Sequence, residues 1–182
     1  MRYKSILIFL LLTLLPYFAV AQNGNPIVFD YITNLQCDRV NSFSEGLAPV
    51  KLKGKWGYID RNGALIIPAQ YDDAGGFSEG LAPVKLKGKW GYIDRNGTLI
   101  IPAQYDAAAG FSKGLAPVKL KGKWGYIDRN GALIIPAQYD DAGGFSEGLA
   151  PVKLKGKWGY IDRNGTWRLP NPQSARVQSS RD

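Results

Sequence analysis

One stretch of thirteen residues, KLKGKWGYIDRNG, occurs four times without a substitution, beginning at Lys51, Lys85, Lys119 and Lys153. A fixed period of 34 residues is typical of repeat architectures, in which each unit buries its apolar face against its neighbours. Residues 64–97 are identical to residues 132–165, so a pair of units was copied last. Identity between units is therefore explained by duplication and does not by itself mark functional residues.

Each unit is predicted to be built from β-strands. Pro49, Gly54, Gly57, Gly63 and Pro68 in the first unit would interrupt any helix of useful length. The segments between them are short, rich in β-branched and aromatic residues, and separated by turn residues. We expect three strands in this unit, at residues 47–53, 55–60 and 64–71, followed by a glycine-rich connection over 72–80 that returns Phe77 to the core.

Two turns determine which residues share a face. A two-residue loop of Gly54 and Lys55 would place Lys53 opposite Trp56 and Lys51 opposite Tyr58. The segment 60–63 forms either an Asn-Gly loop or a type I turn that closes with Gly63 in the left-handed conformation, and we favour the second. That choice gathers the following residues on one apolar face, with Gly57 between Leu52 and Ile67: Val50, Leu52, Ile59, Leu65 and Ile67.

The opposite face carries lysines beside aromatic rings in every unit. It has two interpretations, packing between units with lysines covering the rings, or a basic, aromatic-lined binding surface. The candidate residues, which in the first unit share this face with Ile66, are Lys51, Lys53, Trp56, Tyr58, Lys85, Lys87, Trp90, Tyr92, Lys119, Lys121, Trp124, Tyr126, Lys153, Lys155, Trp158 and Tyr160.

The motifs KWGYIDRNG, IIPAQYD and FSEGLAPVK closely resemble the bacterial WG repeat, also called the KWG repeat. The resemblance extends from Leu35 to Pro170. It implies a β-rich module that is common in exported or cell-surface proteins and has no established catalytic activity, and it supplies no ligand-binding residues. The pattern departs at Cys37, in place of a tyrosine, and at Trp167 and Arg168, and we interpret both terminal units as partial units that cap the array.

Several kinds of chemistry have little support. The chain has no histidine and one cysteine, which excludes Ser-His-Asp and Cys-His catalysis and histidine-based zinc sites. The segment 60–63 resembles the start of a calcium loop but lacks the later acidic ligand. Asp72, Asp73, Glu79 and Asp141 could supply a glycosidase carboxylate pair, although Ala107 replaces the second acid in the middle unit. We expect no cofactor, no metal and no enzymatic activity.

The N-terminus has the features of an export signal. Arg2 and Lys4 precede an apolar run over residues 6–15, and Ala19-Val20-Ala21 matches a signal peptidase site. The run is shorter than the ~20 residues that span a bilayer. We expect a signal peptide at 1–21, a lead-in at 22–34, the repeat domain at 35–170 and a disordered tail at 171–182. The protein would then be periplasmic, surface-bound or secreted, and Cys37 would be a small buried hydrophobe.

The expected architecture is all-β, a stack of three-stranded β-meanders in an open solenoid or superhelix, with a closed propeller as the alternative. The expected function is a non-catalytic scaffold or multivalent binding module for an envelope polymer, a glycan or another anionic polymer, or for a protein. The alternatives are a structural spacer and, more remotely, a glycan-acting enzyme. Aromatic rings beside lysines also suit single-stranded nucleic acid, but export argues against that as a native role. Self-association through exposed outer strands remains open.

Overall fold

A computed structural model describes residues 37–169. The expected signal peptide, lead-in and C-terminal tail lie outside these residues. The described chain contains only β-strands: β1 (Arg39–Val40), β2 (Leu47–Leu52), β3 (Lys55–Asp60), β4 (Leu65–Tyr71), β5 (Asp73–Ala74), β6 (Ala82–Leu86), β7 (Lys89–Ile93), β8 (Leu99–Tyr105), β9 (Ala107–Ala108), β10 (Ala116–Leu120), β11 (Lys123–Ile127), β12 (Leu133–Tyr139), β13 (Asp141–Ala142), β14 (Leu149–Leu154), β15 (Lys157–Asp162) and β16 (Trp167–Leu169).

The strands form four antiparallel sheets, each a meander of four consecutive strands. The three long strands expected in the first unit are present to within one residue at each end. The segment after Tyr71 is more than a connection, because β5 pairs with β6 and begins the second sheet. Each unit therefore contributes a short fourth strand that the sequence pattern did not reveal.

The sheets stack in sequence order into an open array. Three apolar clusters each combine residues of two consecutive sheets. In the first cluster, Tyr58 and Ile67 of the first sheet pack with Val84 and Ile93 of the second. Phe77 is buried in the first of these clusters, as expected. Among residues 37–169, no strand of the last sheet pairs with a strand of the first. The expected all-β solenoid of repeats is confirmed, and the described strands do not close into a ring.

The first hairpin turn differs from the expected one by a residue. Lys53 and Gly54 both have positive φ, 49° and 81°, which is the type I′ geometry that favours two-residue hairpins. Lys51 consequently pairs with Trp56, and Pro49 pairs with Tyr58. The expected pairs Lys53 with Trp56 and Lys51 with Tyr58 are wrong, because the loop is Lys53-Gly54 and not Gly54-Lys55.

The second turn confirms the favoured option. The Gly63 amide donates to the Asp60 carbonyl at 3.1 Å, and Gly63 has a φ of 80°. The side chain of Asp60 accepts from the amides of Asn62 and Ala64, both at 2.9 Å. Each equivalent aspartate caps its turn in the same way, so the resemblance to a calcium loop reflects an aspartate-capped turn.

An irregularity between β3 and β4 changes the expected faces. Ile59 pairs with Leu65 as expected, but Ile67 pairs with Tyr58 and not with Gly57. Ile67 is thus buried on the face of Tyr58, while Leu65 and Ile66 are more than two-fifths exposed. A Cβ at Gly57 would lie 2.5 Å from the Ile67 carbonyl oxygen, so this glycine permits close approach of backbone and does not fill a side-chain layer.

The two ends of the array differ. At the N-terminal end, Ala48, Val50 and Ile59 are buried, and half-buried Cys37 packs against them. At the C-terminal end, the last sheet has all four strands, and Trp158 and Tyr160 on its outer face are half exposed. The interpretation of the last unit as a cap is therefore wrong for the described residues.

Candidate binding surface

The β2–β3 hairpin turn and its three counterparts all lie at the same end of the strands, and lysines surround each one. The sequence KLKGK places one lysine at the end of the first strand, one in the turn and one at the start of the second strand. The first is half-buried in every unit, and the other two are exposed. We call this set the lysine ridge: Lys51, Lys53, Lys55, Lys85, Lys87, Lys89, Lys119, Lys121, Lys123, Lys153, Lys155 and Lys157.

Charge is distributed unequally between the two ends of the strands. The ridge end carries these twelve lysines and Arg39 against six aspartates, which are Asp38, Asp72, Asp73, Asp106, Asp140 and Asp141. At the opposite end, the turn arginines are matched by turn aspartates, and the second tight turn of most units carries a glutamate. Residues 37–169 contain 19 lysines and arginines against 13 aspartates and glutamates, a formal net charge of +6. The positive charge of the described residues is therefore concentrated at the ridge end of the strands.

The turn lysines hold an unfavourable backbone conformation. Lys53, Lys87, Lys121 and Lys155 have φ between 48° and 50°, a region that glycine and asparagine occupy more easily. All four residues are exposed. Lysine at this position makes the turn less stable but adds an exposed charge to the hairpin turn of each unit.

Most of the tyrosines expected on the binding surface are buried between consecutive sheets. Tyr58, Tyr92 and Tyr126 have no exposed area, and each ring packs edge-on against a phenylalanine of the next sheet with centroids 4.9–5.0 Å apart. Their hydroxyls donate to backbone carbonyls of the next sheet at 2.7–2.8 Å. Burial raises the pKa of all three. These tyrosines cannot contact a ligand, so their assignment to a binding surface is wrong and the packing interpretation is confirmed for them.

The tryptophans range from buried to exposed along the array. Trp56 is buried, Trp90 and Trp124 are half-buried against the apolar clusters, and Trp158 is 50% exposed. The ammonium of Lys51 lies 6.0 Å from the Trp56 ring and that of Lys119 lies 5.9 Å from the Trp124 ring. The lysines therefore cover partly buried rings, as the packing interpretation expects.

Those two contacts occur where the neighbouring short strand offers no carboxylate. Arg39 pairs with Lys51 and Ala107 with Lys119. In the other two units an aspartate stands opposite the lysine, Asp73 opposite Lys85 and Asp141 opposite Lys153. The variation between units thus alternates the local charge of the ridge, leaving the first and third units more cationic.

Aspartates tie consecutive sheets together beneath the ridge. Asp72 accepts from the Lys55 ammonium of the preceding sheet at 2.6 Å and from the Gly88 amide of its own hairpin turn at 3.4 Å. Asp106 and Asp140 repeat this arrangement with Lys89 and Lys123. The lysine hydrogen bond and the turn amide hold the pKa of all three carboxyls below its usual range. The third lysine of KLKGK, absent from the candidate set, therefore joins sheets as well as adding charge.

The carboxylates considered for glycosidase chemistry have structural partners. Asp72 is engaged as described, and Glu79 accepts from the Gly114 amide of the next sheet at 2.9 Å. Asp73 and Asp141 each accept from the amide of the residue that follows. An open groove of about 410 Å³ lies away from the ridge and includes Asp94 and Ile100. Its aspartate caps a turn, so the groove offers no pair of uncommitted carboxylates.

Within the described part of the chain, no helix is present that could cross a membrane. No group of three or more histidine, cysteine, aspartate or glutamate side chains is arranged there to hold a metal ion.

Comparison with solved structures finds similar folds at low sequence identity. A crystal structure of a eukaryotic initiation factor matches with 10% identity and a TM-score of 0.53, over 74% of this chain and 43% of that one. The extracellular domain of the putative one-component system BT4673 from B. thetaiotaomicron matches with 14% identity and a TM-score of 0.49, over 74% of this chain and 21% of that one. The chain thus spans less than half of either protein, and the first likeness concerns the fold alone.

No curated protein matches the sequence. The profile of the WG containing repeat matches five consecutive segments, 29–56, 56–90, 90–124, 124–158 and 158–170. Each match begins or ends at the tryptophan of a central strand, so one family unit includes parts of two consecutive sheets. Because these segments cover most of the sequence, the chain belongs to the WG containing repeat family.

Proposed function

We propose that this protein is a non-catalytic, multivalent binding module whose lysine ridge holds an anionic polymer. The observation that carries the proposal is the position of the four turn lysines at the tips of successive hairpins, in a backbone conformation that favours other residues. In the turns at the opposite end of the strands, the equivalent positive-φ residues are Glu45, Glu79, Lys113 and Glu147. Lysine occupies this position in every unit only along the ridge.

Repetition suits a polymeric ligand better than a small one. Each unit presents the same group of three lysines, and the stacking of sheets carries these groups along one side of the array. A single group would bind an anion weakly, but a polymer that reaches several groups gains by effective concentration. If the N-terminal segment directs export, the polymer belongs to the cell envelope or its surroundings.

The ion pairs of the ridge leave most of its charge available. Lys55, Lys89 and Lys123 are paired with aspartates, but they remain about half exposed. The turn lysines, such as Lys87 and Lys121, make no ion pair among the described residues. A polyanion would therefore meet one unpaired lysine at each hairpin tip before it competes for the paired ones.

A structural spacer is the second candidate. The specific observation in its favour is that three of the four candidate tyrosines, and Trp56, serve packing between sheets. Substitution of Trp90 or Trp124 would not separate the two functions, because both rings contact the apolar clusters and their loss would destabilise the fold. Exposed lysines give the better test.

The test is binding to immobilised long-chain inorganic polyphosphate across a salt series. A variant with Lys87→Asn and Lys121→Asn is compared with a control variant that carries Arg61→Asn and Lys113→Asn at the opposite end of the strands. Both variants lose two charges, and Lys113 has the same type of turn conformation, with φ of 54°.

If the proposal is correct, the ridge variant binds polyphosphate more weakly than the parent protein. The slope of log K, where K is the association constant, against log salt concentration becomes shallower by about one unit for each lysine removed. The control variant should bind like the parent protein. Equal losses in the two variants would indicate nonspecific attraction to net charge. Absence of binding by the parent protein at every salt concentration would favour the spacer.

A further inference from the structure

The outer face of the last sheet is half of an interface that the protein forms three times internally. Leu149, Trp158 and Tyr160 on this face are 37%, 50% and 46% exposed. Their counterparts in the other sheets, such as Leu115 and Tyr126, are covered by the sheet that follows. Among the described residues, no further sheet covers this apolar, aromatic face at the C-terminal end of the array.

At the N-terminal end of the array, two residues of the other half of this interface are exposed, although Ala48 and Val50 beside them are buried. Phe43 is 44% exposed, whereas its counterparts Phe77, Phe111 and Phe145 are nearly buried against tyrosines of the preceding sheet. Val40 of β1 is also 44% exposed, whereas the equivalent Ala74 of β5 is buried. Among the described residues, Phe43 and Tyr160 thus lack the edge-on partner that the other three pairs possess, and they lie at opposite ends of the array.

The polar contacts between sheets show the same pattern. Lys55, Lys89 and Lys123 each pair with an aspartate of the following sheet, and Lys157 is the equivalent lysine without such a pair among the described residues. Asp38 is the equivalent aspartate at the other end, and within the described chain it accepts only from the Gly54 amide, at 2.8 Å. The two ends of the array are therefore complementary in charge at Lys157 and Asp38.

The outer face of the first sheet is buried at β2 but exposed at β1, so one further strand could pack against β1. In each internal interface, a central strand lies against the short first strand of the next sheet, as β3 does against β5, and the fourth strand lies against the second, as β4 does against β6. In the first sheet, Ala48 and Val50 of β2 are already buried, but Val40 of β1 is exposed. The uncovered position is the one that a central strand such as β15 would occupy.

The alignment of the repeats shows that the described residues of two molecules joined end to end would not overlap. Leu169, at the end of β16, is equivalent to Ile67, near the middle of β4, whereas Cys37 is equivalent to Tyr71, at the end of β4. The strand β16 of one molecule would thus stop before the position at which the described chain of the next molecule begins. No two described residues would compete for the same place.

We propose that this protein associates head to tail with a second copy of itself, with the face formed by Leu149, Trp158 and Tyr160 covering β1 and Phe43 of the next molecule. Tyr160 would meet Phe43 edge-on, and Lys157 would pair with Asp38, as the equivalent residues do inside the chain. Such a contact joins two different surfaces, so further copies can add head to tail, in a closed ring or an open chain according to the rotation between successive molecules. The lysine ridge would continue from one molecule to the next.

The test is the mass of the purified chain as a function of concentration, measured by sedimentation equilibrium. The mass of the parent protein should rise above that of its monomer, which is 20.0 kDa for the full sequence of 182 residues, as concentration increases. Tyr160→Asp and Phe43→Asp each destroy one half of the contact at an exposed site, so each variant alone should remain a monomer. An equimolar mixture of the two should form dimers and nothing larger, because each variant keeps the half that the other lacks.

Leu99→Asp is the control variant, because Leu99 is 43% exposed in the middle of the array and should leave assembly unchanged. Circular dichroism verifies that all three variants keep the parent fold. A parent protein that stays monomeric at every concentration would overturn the proposal. Association that survives Phe43→Asp but not Tyr160→Asp would also overturn it, since the C-terminal face would then pair with another C-terminal face.

Discussion

The hydroxyl of Tyr92 donates to the Ala109 carbonyl at 2.7 Å while its ring meets Phe111 edge-on at a centroid distance of 4.9 Å. A single side chain thus joins two sheets by a hydrogen bond and by aromatic packing. The same contacts recur at the interfaces made by Tyr58 and Tyr126. The tyrosine of the WGYID motif is therefore the main residue that connects one unit to the next.

Substitution of Tyr92 by phenylalanine should lower the free energy of unfolding by about 1–2 kcal/mol, because the Ala109 carbonyl loses its donor in a part-buried site. Urea denaturation measures the change. Tyr160→Phe is the matched control, since Tyr160 is 46% exposed and should show almost no loss at low protein concentration. Equal losses in the two variants would contradict the role assigned to the internal tyrosine.

Gly91→Ala should destabilise the protein by about 3 kcal/mol or more, because its Cβ would lie 2.5 Å from the Ile101 carbonyl oxygen and 2.8 Å from the Ala103 amide nitrogen. Both contacts are with backbone, which cannot move without separating two strands. Gly88→Ala is the comparison, because no atom lies within 4 Å of its Cβ position but its φ is +81°. Backbone strain alone should cost about 1–2 kcal/mol there. Thermal denaturation in which Gly88→Ala is the more damaging change would contradict this account of the irregularity between strands.

Lys87→Asn should raise the free energy of unfolding by roughly 0.5–1 kcal/mol while weakening polyphosphate binding, because asparagine adopts positive φ more easily than lysine. Lys113→Asn should give a similar gain, since Lys113 has a φ of 54° in an equivalent type of turn, but it should not affect binding. Urea denaturation and the binding assay are performed on the same preparations. A gain in stability without a loss of binding at Lys87 would indicate that the ridge has no binding role.

Acid should destabilise the protein through the aspartates that join the sheets. Lys89 and the Gly122 amide lower the pKa of Asp106 in the folded state. A carboxyl whose folded pKa is lowered contributes stability that is complete above its unfolded pKa of about 4 and is lost as the pH falls through the folded value. Lys89→Met removes the largest cause of the shift, so its free energy of unfolding should fall less between pH 5 and pH 2 than that of the parent protein. A steeper fall in the variant would contradict the role of this ion pair.

The sequence predicted the strands well because the turns carry explicit signals. Gly63 after Asp60-Arg61-Asn62 predicts the observed turn, and Gly54 marks the hairpin loop between β2 and β3. The short strand β5 was not predicted, since two residues such as Asp73 and Ala74 show no periodicity. Its existence depends on pairing with β6, which is a tertiary property.

The candidate site was predicted in part. Lys53 and its counterparts are exposed and Lys51 and its counterparts are half-buried, whereas Lys55 and its counterparts were not among the candidate residues. The tyrosines were expected beside the lysines at the surface. Alternation along a strand separates two faces, and in this protein both faces of an internal sheet are covered by neighbouring sheets. The alternation of residue types along a strand cannot distinguish a sheet that is covered on both faces from a sheet that has one face in contact with solvent. The exposure of Trp158 and Tyr160 depends on their position at the end of the stack, which identical repeat sequences do not reveal.

The most direct test of the multivalent ridge is the affinity of the protein for inorganic polyphosphate fractions of increasing chain length, measured at constant salt and low protein concentration. If the ridge acts as one array, affinity should rise more steeply than in proportion to polymer length until the polymer reaches all four lysine groups, and only slowly thereafter. The ridge variant Lys87→Asn/Lys121→Asn should lose most of that steep rise. Affinity that increases only in proportion to length, in the parent protein and in the variant alike, would show that each unit binds independently and would contradict the account.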